Sequence, residues 1–560
     1  MRTMRADRLR AVLSPISPGR APLSPVWERG GEPLNAVRRG EGGGLRAVLF
    51  AVLACLLIGC ASAGATPAAQ VSAPTAEPTT APEPTPTPEP EPAYQPIFEP
   101  TSCRLPLMPR DNVECGDLIV PENRANPDGR TIRLHVAIFR ARTDNPAPDP
   151  VIHLGGGPGA ALLDDAVFYL QAGGNAIRMQ RDYIMFSQRG TAYADPKLEC
   201  NEYALFLWQS AEEELDDEEK WEQAARVVAE CRDRLARQGI DLAAYNSAEN
   251  AADVEDLRRA LGYEQVNLYG ISYGTRLALT VLREYPDSVR SVILDSVYPP
   301  QVNLYSEMPS NAGRALNAVF ENCARDPACN AAYPNLEQTF FETYDLLEEQ
   351  PLTIPLFGPD RQYVVRFDGE LFASMLFARL YTLESLPYIP RWIEDAQERN
   401  APALMTPLSN VIGFDVAPGM YWSIQCGEEV AFETEESAAQ AAAELPPQLA
   451  GAFAAAPILR VCEAWGVGPA DPIENEPVES DVPALVFAGE YDPITPPEWA
   501  RLAAETLPNS YLYEFEGVGH GVVRSDGCAL LIALQFLDDP TAAPNDSCIA
   551  EREPLRFDTR

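Results

Sequence analysis

Ser272 stands in Gly270-Ile-Ser272-Tyr-Gly274, after a strand-like run from Gln265 to Tyr269 and before a helix-like run from Thr275 to Glu284. A serine on a tight strand-to-helix turn, flanked by residues small enough for the turn to form, is the arrangement of an exposed nucleophile. Its hydroxyl needs a base, and an imidazole suits that task at neutral pH. His520, in Gly517-Val-Gly-His520-Gly, is the candidate. Asp492, in Gly489-Glu-Tyr-Asp492-Pro after the apolar strand Val482 to Ala488, would fix the imidazole tautomer and stabilise its cation.

The order Ser, Asp, His along the chain is that of an α/β-hydrolase triad. Asp295, directly after the strand Ser291 to Leu294 that follows the elbow, is the rival for the acid role. Asp492 is favoured because its turn sits between the last two strands, ahead of His520. His135, on the polar-facing register of a strand, and His153, before a loop on the wrong side of the elbow, read as structural. An acyl-transfer site also needs amides aimed at the developing oxyanion. Gly155-Gly156-Gly157-Pro158-Gly159 follows the His153 strand, and the expected donors are the amides of Tyr273 and Gly157. A phosphate-binding loop is the competing reading of these glycines. It lacks the Gly-x-x-x-x-Gly-Lys pattern, and Lys occurs only at 197 and 220.

These loops require a sheet beneath them. Asp117 to Val120 and Thr131 to Ala141 read as strands, the second alternating through Ile132, Leu134, Val136 and Ile138. Val151 to Leu154 and Tyr183 to Phe186 are short apolar runs, as a sheet covered on both faces gives. Leu198 to Ala244 has helical spacing, and Ala251 to Leu261 reads as another helix. No core strand resumes until Val482, and the apolar residues between, as in Leu371 to Leu380, fall at helical spacing. The chain therefore divides into a core, first part 97–295, a mainly helical cap 296–480 inserted before the strand carrying Asp492, and a C-terminal core part 481–560. A helix from Pro496 to Leu507, a strand from Tyr511 to Phe515 and a helix from Asp526 to Leu537 complete it.

A chain of 560 residues exceeds one comfortable core, in keeping with an insertion. Its formal net charge of -39 argues against a nucleic-acid partner, because such a surface repels phosphates. Residues 1–59 are locally basic, with nine Arg against four acidic residues, and there Arg46 precedes twelve apolar residues, Ala47 to Ile58. That run is too short for a membrane span of about 20 residues and reads as an export signal within 1–60. Leu57-Ile58-Gly59-Cys60 resembles a bacterial lipobox, which makes Cys60 the lipidation candidate. Ordinary cleavage at Ala61-Ser-Ala63 or Ala63-Gly-Ala65 is the alternative. Arg38-Arg39 does not continue into a twin-arginine motif. Residues 61–96, mainly Ala, Pro, Thr and Glu, cannot bury enough surface to fold and read as an extended linker.

Setting aside Cys55 and Cys60 leaves Cys103, Cys115, Cys200, Cys231, Cys323, Cys329, Cys426, Cys462, Cys528 and Cys548, an even number spaced as neighbours. Pairing along the chain is the simplest disulfide arrangement, although spacing does not fix connectivity. Without a Cys-x-x-Cys, and with three His in the whole chain, no metal site is expected.

Roughly from 100 to 550 the chain resembles the proline iminopeptidase and tripeptidyl aminopeptidase group of α/β-hydrolases. The resemblance is carried by Gly156-Gly-Pro-Gly159, Gln188-Arg-Gly-Thr191, the Ala252 to Gly262 helix, Gly270-Ile-Ser-Tyr-Gly-Thr275, Leu294-Asp-Ser-Val297, Gly489-Glu-Tyr-Asp-Pro-Ile-Thr-Pro496 and Gly519-His520. The Cys spacings also look like the secreted tripeptidyl type. Two departures bear on substrate preference: Gly155 stands where proline iminopeptidases have His, and Ser187 where the group has Asp. The resemblance implies an exopeptidase that releases residues from free peptide N-termini through an acyl-enzyme, without a cofactor. An esterase or lipase using the same triad is the alternative reading, and a non-catalytic surface binding protein is a third.

An aminopeptidase must hold a cationic α-amine, which a carboxylate does best. Glu428, two residues after Cys426, matches an acidic position of the resembling group, with Glu429 beside it; both are candidates for that contact. The expected partners are thus peptide substrates, with the membrane met only through an N-terminal lipid anchor on an extracytoplasmic protein. The sequence sets no oligomeric state.

Overall fold

Short β-rich runs that are apolar on both faces make the centre of the molecule. The computed structural model describes residues 94–105, 112–409, 411–413, 416–443 and 445–560. The export segment with Cys60, and the linker up to residue 93, lie outside them. The strands are β1 (Ile97–Pro100), β2 (Val113–Pro121), β3 (Thr131–Phe139), β4 (Val151–Leu154), β5 (Tyr183–Phe186), β6 (Val266–Ser272), β7 (Val289–Val297), β8 (Leu352–Phe357), β9 (Gln362–Phe367), β10 (Ala484–Gly489) and β11 (Ser510–Phe515). Among the described residues nine of them form one sheet, in the order β1-β2-β3-β5-β4-β6-β7-β10-β11.

The edge β1-β2-β3 is antiparallel and joins β5 antiparallel; from β5 to β11 every neighbouring pair is parallel. β4, β5 and β10 are buried along their whole length, which is why Val-Ile-His-Leu and Ala-Leu-Val-Phe-Ala-Gly show no alternation of polarity. Successive residues still point to opposite faces: Leu268 and Val486 join the core under the helix Tyr273–Glu284, while Tyr269 and Phe487 join the core under the helix Gly527–Asp538.

The helices carry their own signals. Asp217–Arg237 is capped by Asp216, whose side chain accepts from the Glu219 amide; it has acids in its first turn and Arg234 and Arg237 in its last. Its buried stripe is Ala224, Val228, Cys231 and Leu235. Ser247–Leu261 is capped by Asn246 and stopped by Gly262 at φ 76, the left-handed position glycine adopts without strain.

Between β7 and β10 the chain leaves the sheet. It makes a series of helices, beginning with Leu304–Arg325 and including Gly369–Leu380, Pro418–Glu428 and Ala456–Trp465, with the hairpin β8-β9 among them. The first part of this insertion, Ala312 to Ile412, has its own apolar core, joined by Leu449 and Phe453, with Phe340, Phe372, Leu376 and Ile393 fully buried. The later helices Pro418–Glu428 and Ala456–Trp465 instead pack into the core that covers the elbow helix. The hairpin alternates in burial, but Phe357 and Val364 on its exposed face mask that pattern in the sequence, and β1 is too short to show one.

Among the described residues five disulfides form, each between sequence neighbours: Cys103–Cys115, Cys200–Cys231, Cys323–Cys329, Cys426–Cys462 and Cys528–Cys548. No helix there is long and apolar enough to cross a membrane. His135, read as lying on a polar face, is instead fully buried, with Nδ1 2.8 Å from Asp117.

Candidate active site

Ser272 is the last residue of β6 and caps the helix that follows, with φ 57 and ψ -128. A non-glycine residue is held there only when its surroundings over-determine it. They do so here: a Cβ on Gly270 would land on the Gly274 carbonyl, and one on Gly274 on the Leu154 carbonyl. The two glycines let β6, its helix and the end of β4 meet, which pushes the serine up at the carboxyl end of the sheet, where ligands bind in such folds. Thr275 Oγ1 donates to the Ser272 carbonyl at 2.7 Å and locks the first turn.

Asp492 and His520 follow β10 and β11, the next strands across the sheet. His520 Nδ1 lies 2.8 Å from Asp492 Oδ2. Asp492 is fully buried, and its oxygens are met by four donors: the amides of Ile494 at 3.1 Å and Thr495 at 2.9 Å on Oδ1, the Thr495 hydroxyl at 2.7 Å and His520 on Oδ2. Burial alone would raise its pKa. The imidazole and the Thr495 hydrogen bonds outweigh burial and hold the carboxyl below its ordinary range. An ionised Asp492 accepts from Nδ1–H and so leaves Nε2 as the basic nitrogen of a neutral imidazole. Thr495, which also stands 3.2 Å from His520 Nδ1, was not singled out from sequence. Its signal is the Asp492-Pro-Ile-Thr495 spacing, in which a carboxylate bonds the chain three residues on.

The rival acid has other work. Asp295 accepts from the amides of Val522 at 2.7 Å and Val523 at 3.0 Å and from Tyr269 Oη at 3.1 Å, so it ties the segment after His520 to β7. Burial raises its pKa. The Gly521 amide adds a bond to Ser296 Oγ at 2.8 Å, and the residue after Ser296, Val297, is in register with Ser272. The histidine loop is thereby fastened to the strand beside the elbow. His153, by contrast, is fully buried with Nδ1 2.5 Å from Tyr183 Oη, its pKa pushed down to about 3 by burial.

The glycine loop lies against the serine. A Cβ on Gly156 would stand 3.1 Å from Ser272 Cβ and 3.6 Å from its Oγ, so backbone alone fits there. Gln188 Nε2 donates to the Gly155 carbonyl at 3.0 Å and fixes the loop from below. Tyr273 opens the elbow helix, so its amide has no intrahelical acceptor. From the insertion, Tyr381 packs its ring against His520, tilted by 52° with centroids 4.9 Å apart, and its carbonyl accepts from the His520 amide at 3.1 Å.

Glu428 and Glu429 lie inside the protein, against the elbow helix. Both are buried, 0% and 2% exposed, at the end of the helix Pro418–Glu428. Arg276 of the elbow helix forms an ion pair with Glu429 and lies 3.4 Å from Glu428. Glu428 also accepts from the Ser247 amide and hydroxyl, each at 2.6 Å. Burial raises both carboxyls to about 7 against the pull of Arg276. Sequence spacing identified acidic residues but not their depth, and their charge is already met within the protein.

Residues 149–357 match the alpha/beta hydrolase fold family, and residues 447–548 match the TAP-like protein family. The chain is 24% identical over 461 residues to "Serine protease Hip1" of Mycobacterium tuberculosis, across 77% of this chain and 86% of that one. It is 29% identical over 193 residues to "Tripeptidyl aminopeptidase" of Streptomyces lividans, across 34% and 36%. Among solved structures it is similar to a proline iminopeptidase of Mycobacterium smegmatis, at 16% identity and a TM-score of 0.36, covering 78% of this chain and 95% of that one. By its sheet, its two family matches and its two sequence relatives, the chain is a serine hydrolase of the α/β-hydrolase fold that resembles the proline iminopeptidase and tripeptidyl aminopeptidase group.

Proposed function

We propose that the protein is an extracytoplasmic aminopeptidase that releases one or a few residues from peptide N-termini. The observation that carries this is the His520–Asp492 pair, 2.8 Å apart and satisfied by Thr495, in the loops beside a serine held at φ 57. Ser272 Oγ attacks the scissile carbonyl while His520 Nε2 takes its proton, and Asp492 stabilises the imidazolium. The amides of Tyr273 and Gly157 receive the oxyanion. His520 then gives its proton to the leaving amine as the C–N bond breaks, and water, deprotonated by the same imidazole, frees the acyl group from Ser272.

Peptide specificity rests on relatives named serine protease and tripeptidyl aminopeptidase. The insertion 296–480 acts as a cap between the core parts 97–295 and 481–560, narrowing the entrance so that short peptides enter and folded proteins do not. Five disulfides suit an oxidising compartment. Cys60 is the lipid anchor, and the linker is the spacer that holds the enzyme off the membrane, ending before Tyr94, whose hydroxyl accepts from Arg124 Nε at 2.7 Å.

The test is incubation of purified protein with matched free and N-acetylated peptides, products read by mass, alongside phosphonate labelling. Shortening of the free peptides from their N-terminus, with label on Ser272, is expected. Cleavage of the blocked peptides sinks the aminopeptidase reading in favour of a broader hydrolase. A folded protein unlabelled at Ser272 sinks catalysis altogether.

A further inference from the structure

We propose that the helix Pro418–Glu428 clamps both halves of the oxyanion hole, and that Glu428 is a positioning residue for the Tyr273 amide, not a contact for substrate. The inference rests on the reading above, in which Ser272 is the nucleophile and the Tyr273 and Gly157 amides are the donors.

At its start the helix touches the glycine loop. The Ala417 amide donates to the Gly159 carbonyl at 2.9 Å, and Val416 bridges Ala160 as a strand-like pair. The fit is close: a Cβ on Gly157 would stand 3.2 Å from Val416 Cγ1, and one on Gly159 would stand 3.0 Å from the Ala417 carbonyl. At its other end the helix reaches the second donor through a chain of hydrogen bonds. Ser247 Oγ donates to Glu428 Oε2 at 2.6 Å, and its amide donates to Oε1 at 2.6 Å. With its one O–H directed at the carboxylate, Ser247 Oγ has lone pairs left to accept from Tyr273 Oη, 2.8 Å away. The chain Tyr273, Ser247, Glu428 thus runs one way and ends on a charge-bearing group, which strengthens each link.

Glu428 also holds the elbow helix one turn further on. Arg276 Nε lies 3.4 Å from its carboxylate, and Arg276 Nη2 donates to its main-chain carbonyl at 3.2 Å. Tyr273 and Arg276 share one face of that helix. Gripping the two fixes the direction of the first amide, the one aimed at the oxyanion. Tyr273 is fully buried, so its ring has no alternative anchor in water. Catalysis by such donors depends on their standing where the negative charge develops, and a small misplacement removes much of the effect.

The test uses the full-length enzyme and three variants, Glu428→Gln, Ser247→Ala and Tyr273→Phe. Each is assayed on a free-amine peptide and on a small ester that has no amine. Inhibition by a peptide boronic acid, whose serine adduct puts an oxygen in the hole, is measured in parallel. For Glu428→Gln we expect kcat to fall by about 10- to 100-fold on both substrates, below the loss of a whole donor, with KM changed less than about two-fold. Boronate affinity should fall by the same factor as kcat/KM. Tyr273→Phe, which removes one hydroxyl, should show the same pattern at about 3- to 10-fold.

A rise in KM confined to the free-amine peptide, with kcat intact, would return Glu428 to the substrate-amine role and overturn the proposal. So would kinetics unchanged in Tyr273→Phe, which serves as the deciding variant where Glu428→Gln does not fold. Phosphonate labelling of Ser272 that persists at reduced rate in the variants separates failure of this inference from failure of the catalytic reading, under which wild type itself would not label.

Discussion

The two sides of the site are built from opposite kinds of contact. On the acid–base side, Asp492 is satisfied by Ile494 and Thr495, two and three residues ahead of it, and His520 follows the neighbouring strand. On the oxyanion side, the glycine loop at 157–160 is held by Val416 and Ala417, and Tyr273 is held through Ser247 by Glu428. One side satisfies its carboxylate with near neighbours in sequence; the other is assembled from four distant segments, 157–160, 247, 273 and 416–428, the last of which belongs to the insertion. A local side tolerates variation elsewhere in the chain. A distributed side couples the chemistry to whatever fixes the insertion, here including the Cys426–Cys462 disulfide that ties the end of the helix Pro418–Glu428 to Ala456–Trp465.

The sharpest break of this picture comes from the two aspartates. Asp492→Asn should lower kcat by about 10⁴-fold, since the amide presents the imidazole in the wrong tautomer. Asp295→Asn should retain turnover within about ten-fold and lose thermal stability, because it leaves the Val522 and Val523 amides facing a group with a donor of its own. Steady-state kinetics beside a melting curve decide it. Loss of turnover in Asp295→Asn alone would move the acid to β7 and undo the local side.

The same contrast explains what the sequence reveals. The elbow, the order of Ser272, Asp492 and His520 and the bounds of β4 and β5 all rest on neighbours within a few residues, and periodicity and turn chemistry report on neighbours. β6 runs to Ser272 and β7 to Val297, past the apolar runs, because a parallel sheet extends into its loops by backbone pairing that side chains do not advertise. Glu428 was legible as an acid near Cys426, but its partner Ser247 lies 181 positions away. Nothing in a single sequence marks that pairing, so Glu428 and Glu429 read as candidates for an amine contact and not as members of a buried ion-pair cluster. His135 failed likewise: alternation put it opposite the apolar face, and only the fold brings Asp117 to meet it inside.

Thr495→Val removes one of the four donors on Asp492 and keeps the side chain's shape. A hydrogen bond to a charged group is worth about 1.5–3 kcal/mol, so kcat should drop by about 10- to 100-fold. KM should hold, because the hydroxyl touches Asp492 and not the substrate. An unchanged kcat would show the hydroxyl to be a packing feature.

Besides Tyr381 against His520, a second residue carries the insertion's influence across to the local side. Arg314, on the helix Leu304–Arg325, donates to the main-chain carbonyls of Glu490, at 2.7 Å, and of Asp492. Arg314→Met should cost about 3- to 10-fold in kcat, the scale of one or two hydrogen bonds to neutral carbonyls. Boronate affinity should follow kcat/KM less closely than in Glu428→Gln. Equal behaviour of the two variants would mean that the insertion acts on the site as one rigid body and that the distinction between sides has no kinetic meaning.

The smallest effect is on stability, and it has opposite sign on the two sides. Asp492 has its carboxyl held below the ordinary range in the folded protein, so its contribution is present above the unfolded value, near 4, and fades as the pH falls through the folded one. Glu429 is raised to about 7 by burial. Its protonated form is the one the interior favours, so that contribution is full below about 4.5 and is lost as the pH rises through about 7. Wild type and Glu429→Gln, melted at pH 4.5, 6 and 7.5, should therefore differ by a gap that changes by a few degrees, wild type losing ground to the variant as the pH rises. The corresponding gap for Asp492→Asn should change between pH 3 and 5 in the other direction, wild type gaining. Both comparisons are differences between near-isosteric chains, so the titration of every other carboxylate cancels to first order. A Glu429→Gln gap that stays flat would mean that Arg276 keeps Glu429 ionised throughout, and the cluster behind Tyr273 would then be a permanent ion pair, insensitive to pH.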